Sequence, residues 1–155
     1  MTVKFISERQ NGQNILRIKS TEKTTRRGLR QGMFKAGHTL ISAASTEILH
    51  GNKTGVIYIR RDRKGRKRRH QSSAPAETHA NMTGALRRSL SFQMWGSNGI
   101  EFGYGVSGQT APDYAPWVEF GTTKMKARPS LLNALESQEG NINQHLENEV
   151  RKVFE

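Results

Sequence analysis

Apolar residues recur at three- and four-residue spacing from Leu29 through Met33, Ala36, Leu40 and Ala44 to Ile48. That period turns one helix face toward a core. Thr21, Thr24 or Thr25 can cap the helix, and His50-Gly51 marks its end, where glycine serves as a C-cap. Gly28, Gly32 and Gly37 each weaken it by about 1 kcal/mol relative to alanine. They would also let a neighbouring element approach closely. Upstream, residues 2–7 and 14–19 predict two short strands around Asn11-Gly12, a hairpin turn signal. Leu16 and Ile18 would face one way, and Ile15, Arg17 and Lys19 the other.

After the helix the period shortens to two. Gly55 to Arg61 is a strand by its β-branched and aromatic content, Asp62-Arg63-Lys64-Gly65 a turn, and Arg66 to Gln71 the return strand. Residues 72–82 show no period and read as a loop, and Thr83-Gly84-Ala85-Leu86 opens a short turn. Leu90 to Trp95 and Ile100 to Val106 alternate around Gly96-Ser97-Asn98-Gly99, the strongest hairpin signal in the chain. Pro112 and Pro116 favour a turn or a first helical turn. Tyr114 and Val118, four apart, would share a face of one helical turn ended by Gly121. Arg128-Pro129 then starts a terminal helix with Leu131, Leu135, Ile142, Leu146, Val150 and Phe154 on one stripe, and Gly140 loosens its middle. The expectation is one α+β domain over residues 1–155. An antiparallel sheet is packed by a long N-terminal and a C-terminal helix, and an extended basic segment at 60–82 projects or moves.

The length of 155 residues suffices for a core, but only 34% of residues are hydrophobic. Mean hydropathy is −0.73, so part of the chain should be exposed or buried only in a partner. There is no cysteine, hence no disulfide, thiolate metal site or thiol nucleophile. No run of 18 apolar residues exists, and the N-terminus does not read as a signal peptide, so synthesis in the cytoplasm and no membrane partner are expected. Asn52-Lys53-Thr54 and Asn81-Met82-Thr83 match the glycosylation pattern without other signs of secretion.

The net charge is +12, and it is uneven. Arg60, Arg61, Arg63, Lys64, Arg66, Lys67, Arg68 and Arg69 surround the single acid Asp62, a local charge of +7. The last twenty residues carry −3. Arginine's dominance in the cluster favours bidentate contact to phosphate or carboxylate. Three readings stay open: nucleic-acid phosphates, an acidic protein surface, or a solvated hairpin tip.

Catalytic and cofactor patterns are weak. Gly103-Tyr-Gly105-Val-Ser-Gly108 matches a dinucleotide fingerprint by letter, but a loop follows where the mechanism needs a helix N-terminus. His70, Glu77 and His79 lie in a basic segment that repels cations, with no metal-site spacing. No nucleophile has a convincing base, so no enzyme, catalytic residue, metal or cofactor is expected.

Pro112 to Leu132 packs aromatics, an acid, a glycine turn and Arg-Pro into one run. A carboxylate such as Glu119 among aromatics is costly unless paired. Arg128 or the backbone of a neighbouring loop could satisfy it; alternatively Glu119 is an exposed residue on a surface helix. The run resembles small neck and tail-completion proteins that join head to tail in long-tailed bacteriophages. Tyr114, Ala115, Glu119, Gly121 and Thr122 match their Tyr-Ala-x-x-x-Glu-x-Gly-Thr element, and Ala127, Arg128, Pro129 and Leu131 the Ala-Arg-Pro element and helix start. Ser130 departs, standing where that family usually has a large apolar residue, often Phe. Thr83 to Leu90 is similar to a further Thr-Gly-x-Leu-x-x-Ser-Ile element, and Arg69 to Pro75 also fits. The resemblance implies a non-enzymatic virion protein at the head–tail junction. It implies a ring subunit, hexameric by the tail's symmetry, touching tail-tube or head-connector proteins. A small basic nucleic-acid-binding protein, in non-specific contact with DNA, is the alternative.

Overall fold

The computed structural model describes residues 8–96 and 99–154. The order is α1 (Glu8–His50), β1 (Ile57–Arg61), β2 (Lys67–Gln71), α2 (Ala85–Ser89), β3 (Leu90–Trp95), β4 (Gly99–Tyr104), α3 (Ala115–Phe120) and α4 (Leu131–Arg151). The fold is α+β, with two separate two-stranded antiparallel sheets, β1–β2 and β3–β4, rather than one continuous sheet.

The N-terminal hairpin is the largest correction. Residues 14–19 continue α1 as helix, and the other expected strand, 2–7, lies outside the described residues. Once the downstream turns are fixed by packing, each residue added to a helix end gains a hydrogen bond without a new nucleation cost. Leu, Arg, Lys, Gln and Glu, frequent in this stretch, are good helix formers. The Asn11-Gly12 turn signal is overridden.

The predicted face of α1 is the one that packs. Ala36, Leu40, Ala44 and Ile48 are buried, and Ala44 and Ile48 join Leu90 of β3 and Ala134 of α4 in the core. Ile41, Phe102, Tyr104 and Leu131 close around them. In α4 the fully buried inward position is Ala134; of the expected stripe, Leu131, Ile142, Leu146 and Val150 are half-buried, whereas Leu135 and Phe154 are exposed. The packed side of α4 continues through Gln138, Ile142, Leu146 and Glu149.

Glycines set how close the layers come. A Cβ on Gly28 would stand 2.8 Å from the Glu149 carbonyl oxygen, and one on Gly32 3.1 Å from Leu146 Cα. A Cβ on Gly37 would strike the Phe92 ring at 2.5 Å. Phe92 sits edge-on to both Phe34 and His38 of α1. The side chain of Glu149 is buried at the α1–α4 seam and accepts hydrogen bonds from the Lys35 and Lys152 ammonium groups. These hold its carboxyl down to about 2.

Candidate assembly surface

Helix α3 is six residues long and its two sides have opposite fates. Ala115 and Glu119 point inward and are buried. Tyr114, Trp117 and Phe120, spaced by three, lie outward, with Trp117 57% and Phe120 81% exposed. Gly121 ends the helix with φ of 80°, a conformation that favours glycine, and its N–H donates to the Trp117 carbonyl at 2.9 Å. A Cβ there would also meet the backbone at Met125 and Ala127 within 2.8 Å. The matched Gly121 is therefore required by the turn itself.

Glu119, 5% exposed, finds its partner in the backbone rather than in Arg128. Its carboxylate accepts the N–H groups of Ser130 at 3.0 Å, Leu131 at 2.8 Å and Leu132 at 3.3 Å. These are first-turn donors of α4 that no intrahelical carbonyl can satisfy. The negative charge also complements the positive end of the helix. Glu119 is thus a remote N-cap that fixes α3 to the start of α4. A second strap is the Arg128 N–H donating to the Val118 carbonyl at 2.8 Å.

The same network explains Ser130. Its side chain is fully buried, donates to Glu119 at 3.2 Å, and shares a short hydrogen bond with the Tyr104 hydroxyl. A large apolar residue would displace these partners. Burial first, and the Glu119 charge beside it, push the Tyr104 phenol up, so it stays a donor while the Ser130 bond opposes the shift. Sequence reading missed this Tyr104–Ser130–Glu119 chain, because Tyr104 lies 26 residues from Ser130 with no local pattern linking them.

The basic cluster forms the β1–β2 hairpin. Every residue of β1 is exposed, and so are Lys67, Arg68 and Arg69 of β2. Pairing sets Arg60 opposite Arg68 and Arg61 opposite Lys67. Like charges directly opposite destabilise a sheet pair, so this hairpin concentrates charge against its own stability. Asp62 offsets part of it: it accepts the Lys64 and Arg66 N–H groups in the turn and pairs with Arg66 at 2.9 Å and Arg68 at 3.6 Å. The Arg66 backbone bond is the main cause holding the Asp62 carboxyl below its ordinary value. Arg63 and Lys64 stand exposed beside it.

The projecting part ends at Gln71, short of the expected 82. Ser73, Thr78 and His79 are buried. The Glu77 carboxylate accepts from the Thr54 hydroxyl at 2.6 Å and the Ala74 N–H at 2.7 Å, which stitches the loop to the segment between α1 and β1. Thr78 accepts from Asn133 of α4 at 3.2 Å. Glu77 is thereby occupied as a staple, and His70 and His79 do not join it as ligands. Among the described residues no group of three or more His, Asp or Glu side chains is arranged to hold a metal. Gly105 and Gly108 take positive φ in a turn, and no helix follows until Ala115, so the fingerprint's geometry is missing.

Between the hairpin base and α3 lies a cavity of about 380 Å³, walled by Met82, Leu86, Tyr114 and Val118, with His79 and Arg128 in its lining. His79, 6% exposed, has neither ring nitrogen hydrogen-bonded. Burial, with the Lys53 charge adding to it, pushes its imidazole down to about 4. Arg128 carries an unpartnered buried Nε and has no ion pair among the described residues. The chain matches no protein-family model, no curated protein and no solved structure. The likeness to head–tail joining proteins therefore stands on its short sequence elements alone.

Proposed function

We propose that this chain is a non-enzymatic structural protein of the phage head–tail junction, a ring-forming neck or tail-completion subunit built into the virion. The observation that carries the reading is the outward aromatic row Tyr114, Trp117 and Phe120, on a helix immobilised from behind by Glu119. Large aromatics held rigidly in water are typical anchors of protein interfaces, since they bury much area for little lost entropy. The row coincides with the matched Tyr-Ala-x-x-x-Glu-x-Gly-Thr element. Its test is complementation: with Trp117→Ser and Phe120→Ser, a phage depending on this gene should accumulate unjoined heads and tails. Normal joining by that variant would refute the role.

The alternative, a small nucleic-acid-binding protein, draws on the opposed Arg60–Arg68 and Arg61–Lys67 pairs, which an anionic partner would relieve. It differs in requiring tight, steeply salt-dependent binding to DNA by the isolated chain.

A further inference from the structure

The cavity beside α3 combines apolar walls with a single arginine. Its walls are Met82, Leu86 and Val118, and Arg128 stands in the lining with no carboxylate answering it among the described residues. Buried His79 remains neutral at ordinary pH, so the positive charge offered there is arginine's, reinforced by the +7 hairpin whose base, His70 and Ser72, forms one rim. The volume is that of a small binding pocket, enough for one or two side chains.

The chain carries the complementary surface elsewhere. On α4, flanking its packed side, Leu132, Leu135, Glu136 and Glu139 fall at helical spacing and are all exposed. Neither glutamate makes a hydrogen bond or ion pair among the described residues. Leu132 and Leu135 leave about half their surface in water.

We infer that the cavity receives the Leu132–Leu135–Glu136–Glu139 face of α4 from a second copy of the chain, with Arg128 gripping a carboxylate of Glu136 or Glu139. This rests on the ring-subunit reading and deepens it. Donor and acceptor surfaces consist of different residues, so the contact is heterologous and propagates head to tail until a fixed rotation closes it. The leucines occupy the apolar walls, and the arginine–carboxylate contact, made bidentately, sets register. A phosphate backbone would satisfy Arg128 but leave those walls in contact with polar atoms.

The absence of cysteine makes the test clean. With Met82→Cys and Leu135→Cys in one chain, a short bismaleimide should produce a ladder of covalent oligomers. Mixed single-cysteine proteins should give Met82-to-Leu135 dimers in preference to either like pair. Separately, Arg128→Glu alone, or Glu136→Arg with Glu139→Arg, should weaken self-association at least tenfold by light scattering, and combining them should restore it. Restoration is an outcome that a purely structural role for Arg128 does not give. The milder Arg128→Gln covers the event that the charge reversal fails to fold. Like-pair cross-links, or no restoration while the parent still forms rings, overturn this contact and leave the ring reading standing. A parent chain that stays monomeric at every attainable concentration, and whose loss leaves particles complete, overturns both.

Discussion

The carboxylate of Glu119 lies 2.8 Å from the backbone N–H of Leu131, one residue capping the helix that begins twelve residues after it. This couples the orientation of α3, and so of its outward aromatics, to the docking of α4. Glu119→Ala should cost about 2–4 kcal/mol, because three first-turn N–H groups lose a buried acceptor. Glu119→Gln, which keeps one acceptor oxygen but loses the charge, should cost about half as much. Urea unfolding measures both, and a Glu119→Ala protein as stable as its parent would contradict the capping role.

Two glycines in helices should respond in opposite directions. At Gly28 an added methyl meets the Glu149 carbonyl at 2.8 Å, backbone that cannot rotate away. Gly28→Ala should destabilise by about 1–3 kcal/mol. Gly140 has nothing within 4 Å of the added Cβ, so Gly140→Ala should stabilise by up to about 1 kcal/mol. Thermal melts of the two variants should move apart from the parent.

His79 predicts acid sensitivity. Its folded pKa of about 4 lies below the ordinary 6.5, so the unfolded chain binds its proton first as pH falls. The contribution is fully present above pH 6.5 and is lost between there and about pH 4, up to about 3 kcal/mol. Glu149 adds a loss at lower pH, below its ordinary 4.5 and toward about 2. A His79→Leu variant should show a flatter melting profile between pH 7 and pH 5. An unchanged slope would contradict the assignment.

The hairpin can be tested apart from the core. Changing Arg66, Lys67, Arg68 and Arg69 to Ser should alter stability by no more than about 0.5 kcal/mol, because these exposed side chains and their pairs to Asp62 contribute little. Head–tail joining should nonetheless fall. Unchanged joining would make the cluster a solvated tip, and steep salt-dependent DNA binding lost in the variant would favour the phosphate role.

Local patterning made most elements legible. The α1 face from Ala36 to Ile48, both later hairpins, the α3 turn and the α4 start all follow from short-range periodicity and turn residues. The close approach at Gly28, Gly32 and Gly37 was also readable, since nothing local rewards glycine in a helix. Residues 14–19 were misread because β-branched residues and Asn-Gly signal locally, whereas the helix extends by propagation from its packed half. Glu119 was legible as an anomaly but not as a cap, because its partners become neighbours only in the fold. The cavity at Arg128 draws its lining from four separated segments, and no short sequence window contains it.

The central claim is that this chain works by association at the head–tail junction through its rigid aromatic row. Cryo-electron microscopy of the complete particle tests it most directly. The account predicts a closed ring of this chain between head and tail, with Trp117 and Phe120 buried against neighbouring protein. Particles lacking the chain, or a ring in which both side chains remain in solvent, would contradict it.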